Sequence, residues 1–458
     1  NAVAQAYVEH VPLLIIAGFP SQCELERGLL IHHQAKSVDS QRDIYKEITA
    51  AQLRLDNPAR AGEDIRQALK TAQEQSRPVL LEIPRDAVHF STSLAGQYQA
   101  PQVPEQELAL AVAHLSDKLT AAKRPVILAG VDVRRFDAVA ELQQLAQHLN
   151  IPFCSTLMGR ASFDLQHPLY RGIFLDKSDV WPAQLLQQAD LILQIGVIKT
   201  DSNFAAHAAL FPADKVIEIE QNNLKLDLVT YHQLQLKALL GALNAQLIPP
   251  FTSQLQADTQ AEADAVGFSA SAVVQRLDKR LSAGSETVPV ISDIGDCLFA
   301  SLHANPSLML APAFYASMGY AVPAAVGVQA VTGLRPVVLV GDGAFLMTGL
   351  ELGHCVRYGF APIVIVFNNR RWDMIEAFSP KLQCTHLDHW QYAELARGMG
   401  GQGMQVSNLA DFEHALELAL SCNRFSLIEV MIPAQSRSER LNAFAAGFLG
   451  AQKSAVAC

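Results

Sequence analysis

No uncharged apolar run in the 458-residue sequence approaches the roughly eighteen residues of a membrane span, so no membrane segment is expected. Charge is also scarce: only 17% of residues are charged, and 45 acidic against 35 basic residues leave a net charge of −10. That balance argues against nucleic acid or an anionic membrane surface as the main partner. The seven cysteines are odd in number and scattered, with no CxxC pair, which excludes both a disulfide framework and a zinc site and points to a reducing cytoplasm. No GxGxxG follows a strand and opens a helix, so a nicotinamide-binding protein lacks support. A conventional beginning is lacking too. The chain opens at Asn1 in mid-pattern, inside an alanine-rich helical stretch, without Met, signal peptide or capping residue.

What is present is apolar. Half of the residues are hydrophobic, enough for sizeable cores in a chain of this length, and disorder is excluded. A small-molecule enzyme is the leading class. Short β-branched runs alternate with helical patterns: PLLIIAG from Pro12, PVLLEIP from Pro78, PVILAG from Pro125, DLILQIG from Asp190, KVIEIE from Lys215, PVVLVGDG from Pro336, PIVIVFNN from Pro362 and SLIEVMI from Ser426. This grammar predicts an α/β fold with parallel sheets, and the near-continuous apolar character predicts strands covered on both faces. Two polar stretches, 91–107 and 249–269, read as linkers. They divide the chain into domains at 1–92, 105–248 and 270–435, followed by a helical tail at 436–458.

The most informative segment runs from Gly341-Asp342-Gly343 to Asn368-Asn369, with twenty-four residues between the two clusters. Each cluster ends an apolar strand, and in an open parallel sheet ligands sit beyond the carboxyl ends of strands, so both converge on one crevice. Glycines at 341 and 343 admit a phosphate close to the backbone, and a helix beginning near Ala344 adds its positive end. Asp342 and Asn369 supply hard oxygens of the kind that hold magnesium beside a diphosphate. Either fragment alone is equally an ordinary turn; the pair at this spacing is more than that. Asp296 reads as the N-cap of a helix from Cys297 to His303. The adjacent His32 and His33 are candidate proton carriers, although a histidine pair is more often incidental.

These segments resemble the thiamine diphosphate-dependent enzymes, whose magnesium-diphosphate motif is GDG followed at this distance by NN. The resemblance implies three parallel-sheet domains, doubly wound: pyrimidine-binding (1–92), middle, and diphosphate-binding (270–435), with the first one truncated. It implies thiamine diphosphate and Mg2+ as cofactors, with Asp342, Asn369 and the backbone carbonyl of Arg371 as metal ligands. Arg371 stands where the family usually has glycine. The carbonyl of Ala316 would meet the cofactor's aminopyrimidine and Met318 would wedge it into a bent shape; a core methionine is the plainer alternative. Asp293, Gly295 and Asp296 match the strand end that folds around the diphosphate, through backbone contacts rather than carboxylates.

LLIHHQ, TLMGR at Thr156 to Arg160, TDSNF at Thr200 to Phe204, DIGDCLF, NNRRWDMIEAF and GMGGQG extend the resemblance over essentially the whole chain. They resemble 2-keto acid decarboxylases, and among these the indolepyruvate and phenylpyruvate branch. The implied activity is decarboxylation of an aromatic 2-keto acid to the aldehyde, with His32 and His33 handling protons. Pyruvate decarboxylases carry an acid where Ile375 stands here. Glu376, one step along, is turned by about 100° and cannot replace it. Asp201 is the candidate substitute, set against an Asx-turn at a strand end. Trp372, Met374, Ile375 and Met318 suggest a pocket wide enough for an arylmethyl group, although core packing explains them equally well. The resemblance further implies a homodimer or homotetramer with active sites between subunits. It also implies that a segment carrying the cofactor-activating glutamate precedes Asn1, so that the chain without it is inactive. An acetolactate-type carboligase, or a non-catalytic homologue, remains the alternative.

Overall fold

The computed structural model describes residues 1–32, 34–93, 102–175, 180–204, 211–252, 267–305, 308–434 and 436–456. The chain divides into two compact units, Asn1–Glu105 and Gln106–Cys458.

The first unit holds a three-stranded parallel sheet of β1 (Leu13–Phe19), β2 (Ala51–Arg54) and β3 (Pro78–Pro84) in the order β1-β3-β2. A helix at Pro58–Gln75 covers it. Asn57 caps that helix by accepting the Ala59 N–H at 2.9 Å, and proline opens its first turn, where a missing N–H costs nothing. Ala61, Ala68 and Ala72 pack on Leu55, Val79 and Leu81. Small side chains let the helix lie close to the sheet. The expectation of strands covered on both faces fails at β1, where Ile16 is 63% exposed; β1 is an edge strand, and Ile16 lines an open cavity with Ile31, Val38 and Val88.

The second unit contains two sheets. Its first comprises β4 (Pro125–Ala129), β5 (Phe153–Thr156), β6 (Tyr170–Phe174), β7 (Leu191–Ile195), β8 (Val216–Glu220), β9 (Asn222–Leu226) and β10 (Val229–Leu234), ordered β10-β9-β8-β7-β4-β5-β6. It is mixed rather than purely parallel, because β9 and β10 double back as an antiparallel edge. Tight turns require this: Asp227, at φ 52°, allows a hairpin too short for a helical crossover.

The second sheet is entirely parallel: β11 (Pro289–Ser292), β12 (Leu308–Leu310), β13 (Val337–Gly341), β14 (Ile363–Asn368), β15 (Gln402–Val406) and β16 (Ser426–Met431), ordered β12-β11-β13-β14-β16-β15. Successive side chains in a strand point to opposite faces, and both faces are buried here. Val337, Leu339, Ile363 and Ile365 face helices at Ala270–Ser282 and Leu409–Ser421. Val338, Val340, Val364 and Val366 face the helix at Ala321–Thr332. From β11 the chain steps to β12 on one side, then to β13 on the other. That reversal opens a crevice at the carboxyl ends of β11 and β13.

The last helix, Glu439–Val456, is not a loose tail. Its Leu441, Phe444 and Ala445 join one core with Leu298, Phe299 and Leu302 from the segment after β11, and with Leu157, Met158 and Ile173 from the mixed sheet. Arg160 reinforces this junction. It is 4% exposed, donates from Nε to the Leu302 carbonyl at 2.8 Å, and also reaches the Ala304 carbonyl.

The Phe299 ring lies 5.0 Å from that of Phe444. Truncating either should remove a buried aromatic from this shared core. Phe444→Ala and Phe299→Ala are each expected to cost about 3–5 kcal/mol in urea denaturation. A loss below about 0.5 kcal/mol for Phe444→Ala would return the helix to the status of a tail.

Candidate active site at the sheet switch point

Three strand ends supply the site. At the end of β13 the chain turns directly into a helix at Asp342–Thr348, and Asp342 is 2% exposed. Its carboxylate accepts the N–H groups of Gly343 at 2.8 Å and Arg370 at 2.6 Å. Burial outweighs these donors and pushes the Asp342 carboxyl up to about 6. The Tyr392 hydroxyl donates to the Asp342 carbonyl at 3.2 Å, fixing the peptide from the other side.

At the end of β14, Asn368 donates to the buried Glu429 at 2.7 Å, and Glu429 also receives the Ala393 N–H at 3.1 Å. Arg370 follows in the left-handed region, φ 59°, and folds the chain back sharply. Asn369 is thereby held at both ends of its amide. Its Oδ1 accepts the Arg371 N–H at 3.0 Å, while its Nδ2 donates to Asp373 at 3.1 Å.

At the end of β11 lies Asp293, with no exposed surface. Its carboxylate receives N–H groups from Ile294 at 3.0 Å, Gly319 at 3.1 Å and Ala321 at 2.8 Å. It anchors the turn that carries Ala316 and Met318. Ala316 itself has φ 58°. Gly319 (φ 84°) is tightly enclosed: a Cβ there would fall 2.8 Å from that of Met347. The Thr348 hydroxyl holds the Gly319 carbonyl at 2.6 Å. The whole turn is therefore clamped between Asp293 and the helix after β13.

These segments enclose a cavity of about 260 Å³. It is lined by Gly295, Asp296, Ala316, Met318, Gly341, Asp342, Gly343, Ala344, Asn369, Arg371, Trp372, Met374 and Ile375, so thirteen residues singled out in the sequence come together. Asp293 lies beneath rather than on the wall. Asp296 is not the helix N-cap; Gly295 (φ 113°) takes that position, and Asp296 spends its carboxylate on the Ser438 N–H at 3.0 Å and hydroxyl at 2.5 Å. Asp201 does not line the cavity. It is exposed at the start of a short helix and accepts the Ser202 N–H at 2.8 Å. His32 lines a separate cavity of about 570 Å³ within the first unit, with Ile16, Phe19 and Gln34. His33 lies outside the described residues.

Ile375 lines the cavity at 41% exposure, whereas Glu376 pairs with Arg371 at 2.9 Å and with Arg437 at 3.3 Å. The one-residue step does turn the carboxylate away. Sequence reasoning missed Asp373, which lines the cavity, and Arg437, Tyr392 and Glu429, which support it. Asp373 stands only four residues after Asn369, but the helix begins at Asp373 itself, so no periodicity marks the pair.

A diphosphate with magnesium fits this cavity on the chemistry of its walls. Asp342, the Asn369 amide oxygen and the Arg371 carbonyl are hard oxygens, each with a lone pair left after the hydrogen bonds above. A Cβ at Gly295 or Gly341 would meet nothing within 4 Å, so both leave open space beside bare backbone. Ser317, between Ala316 and Met318, keeps a buried hydroxyl with no partner among the described residues.

A parallel sheet with its acidic turn and amide pair converging at the switch point is the arrangement of a cofactor-binding α/β enzyme. The sequence matches two family patterns: the thiamine pyrophosphate enzyme central domain over residues 112–247, and the C-terminal TPP binding domain over 293–430. The chain is 37% identical to indole-3-pyruvate decarboxylase of Azospirillum brasilense, over 98% of this chain and 84% of that protein. It is 27% identical to a putative pyruvate decarboxylase of Schizosaccharomyces pombe, over 87% of this chain and 74% of the relative. With pyruvate decarboxylase of Kluyveromyces lactis the identity is 24%, covering 96% and 83%. The chain belongs to the thiamine pyrophosphate (thiamine diphosphate) enzyme family.

The Asp293 anchor has a pH signature. Its carboxyl is raised by burial from 3.8 to about 6. A raised carboxyl contributes stability that is present below its unfolded value and lost as pH rises through the folded one. Asp293→Asn removes that titration and turns an amide N–H toward a backbone donor, costing about 1–3 kcal/mol. The stability gap between wild type and variant should therefore be widest near pH 4 and narrow towards pH 7, read by urea denaturation across that range. A constant gap would show that Asp293 does not titrate in this window.

Proposed function

We propose that the protein decarboxylates an aromatic 2-keto acid, such as phenylpyruvate or indole-3-pyruvate, to the aldehyde and CO2 with thiamine diphosphate and Mg2+. The observation that carries this reading is the mixed lining of one cavity. Oxygen ligands and glycines share its wall with the large apolar side chains of Trp372, Met374, Ile375 and Phe378. The name of the Azospirillum brasilense relative points to the same substrate class.

In this reading Asp342, Asn369 and the Arg371 carbonyl would hold magnesium against the diphosphate, with Gly341 allowing close approach, Ala344 beside it, and Gly343 giving the Trp372 ring room to pack on the turn. Gly295 and Asp296 border the same end. The Ala316 carbonyl and Met318 receive the pyrimidine end. Thiamine diphosphate supplies the carbon nucleophile and the electron sink that carboxylate loss requires. The chain supplies exclusion of water: an apolar wall disfavours a localised carboxylate more than the charge-dispersed state in which CO2 departs. Ile375, in place of an acid, keeps that wall apolar beside Trp372. Proton handling is assigned to His32 and His33, with Asp201 as the carboxylate to test beside them.

Assembly into at least a homodimer is supported by Met347, Leu350, Val356 and Tyr358, all more than half exposed on neighbouring turns. No helix among the described residues is long and apolar enough to cross a membrane. The six described cysteines are present as thiols, which supports a place in the reducing cytoplasm.

Full-length protein with Mg2+ and thiamine diphosphate should convert phenylpyruvate to phenylacetaldehyde and CO2 in equal amounts, read by a coupled alcohol dehydrogenase assay, and should use pyruvate less well. Asp342→Ala should weaken Mg2+-dependent cofactor binding by at least about tenfold in calorimetry. Hydroxyketone or acetolactate formation without free aldehyde would replace this reading with that of a carboligase.

A further inference from the structure

At one part of the cavity wall, five residues close a ring of hydrogen bonds and ion pairs, three of them (Asn369, Arg371 and Asp373) lining the cavity. Asn369 Nδ2 donates to Asp373 Oδ2 at 3.1 Å, and Asp373 Oδ1 receives Arg437 Nε at 2.7 Å. Arg437 Nη2 meets Glu376 at 3.3 Å, and Glu376 accepts Arg371 Nη1 at 2.9 Å. The Arg371 backbone N–H returns to Asn369 Oδ1 at 3.0 Å. Two cations alternate with two carboxylates, so the ring is neutral. Its charged side chains are between 8% and 19% exposed, shielded enough for their pairing to be directional.

The ring begins and ends on Asn369 and Arg371, the two residues of the β14 loop that carry oxygen ligands in the reading above, on which this inference rests. Asp373 decides which way the Asn369 amide faces. A carboxylate at Nδ2 can only accept, so it holds the nitrogen outward and leaves the oxygen for the loop and the metal. Arg437 holds Asp373 in place through Nε, and its guanidinium fork reaches Glu376 at the same time. Glu376 in turn pairs with the Arg371 side chain and fixes its course. Next to Arg437, Ser438 binds Asp296, another residue of the cavity lining. One short segment before the last helix thus braces two stretches of the cavity wall.

We infer that Asp373, Glu376 and Arg437 are positioning residues for the magnesium loop: they set the amide orientation of Asn369 and the path of Arg371, and through these the affinity for the metal. None of them lines up as a ligand. Residues that orient metal ligands typically change affinity by about 10–100-fold when altered. Asp373→Asn should do so most directly, because its amide can present a nitrogen to Asn369 and favour the flipped orientation.

The test is direct titration of Mn2+, as a paramagnetic stand-in for Mg2+, into full-length protein saturated with thiamine diphosphate, with free metal read by electron paramagnetic resonance. Asp373→Asn and Arg437→Gln should each weaken binding by about tenfold or more. The double variant should be no weaker than the worse single one, since both break the same ring. Arg437→Lys, which retains the cation without the fork, should fall between wild type and Arg437→Gln; it also serves if the latter does not fold. At saturating Mg2+ the turnover of each variant should return to within about threefold of wild type, which a collapsed cavity would not allow. Metal affinity within twofold of wild type for both single variants, or additive losses in the double, would overturn the inference. Absence of metal binding by the wild type would instead overturn the cofactor reading beneath it.

Discussion

The site depends on one recurring interaction: a carboxylate removed from water at the end of a parallel strand and held by backbone N–H groups of a distant turn. Asp342 ties β13 to the Arg370 turn, and Asp293 ties β11 to the turn at Gly319 and Ala321. Burial alone would neutralise such groups, and both are indeed shifted upward to about 6. The donors they collect are main-chain groups that would otherwise be orphaned in turns with left-handed residues. Each carboxylate therefore replaces a piece of missing secondary structure. Without these two anchors the loops at the switch point would have little reason to adopt one arrangement.

From this follows the division of labour around the cavity. Polar side chains on the wall are few, Asp296, Asp342, Asn369, Arg371 and Asp373 among them, while further polar groups stand behind them, in Glu429, Tyr392 and Arg437. The departure at Arg371 becomes intelligible in the same terms. Where a carbonyl is the useful group, the side chain is free to serve elsewhere, and here it is paired with Glu376.

Much of the fold was legible because the central strands are short, β-branched and apolar on both faces; β3, β4, β7, β8, β13, β14 and β16 all fall where such runs stand. The strands that escaped, including β2, β6, β9, β10 and β15, lie toward sheet edges, where polar residues are tolerated and the period fades. The mixed edge of the middle sheet escaped for that reason. At the site, Gly341, Asp342, Gly343, Ala344 and Asn369 were readable from strand ends and spacing, and the other eight lining residues came through the family resemblance. Asp296 was misjudged as a cap because its partner, Ser438, is 142 positions away, and Arg437 lies 64 positions from Asp373. No local pattern carries such pairings. At Asp293 the expectation of backbone rather than carboxylate contacts with the ligand leaves the carboxylate a task that no local pattern announces: it holds the turn at Gly319 and Ala321.

The core shared by Leu157, Phe299 and Phe444, with the hydrogen bonds of Arg160, links the mixed sheet to the cavity wall. Heritable loss of function in this chain is therefore not confined to the diphosphate-binding region. Changes in the turn after β5, in a part of the protein that contributes no group to the cavity, shift the segment leading to Gly295 and Asp296. A genetic screen would score them as active-site lesions, and second-site suppressors would arise in the last helix.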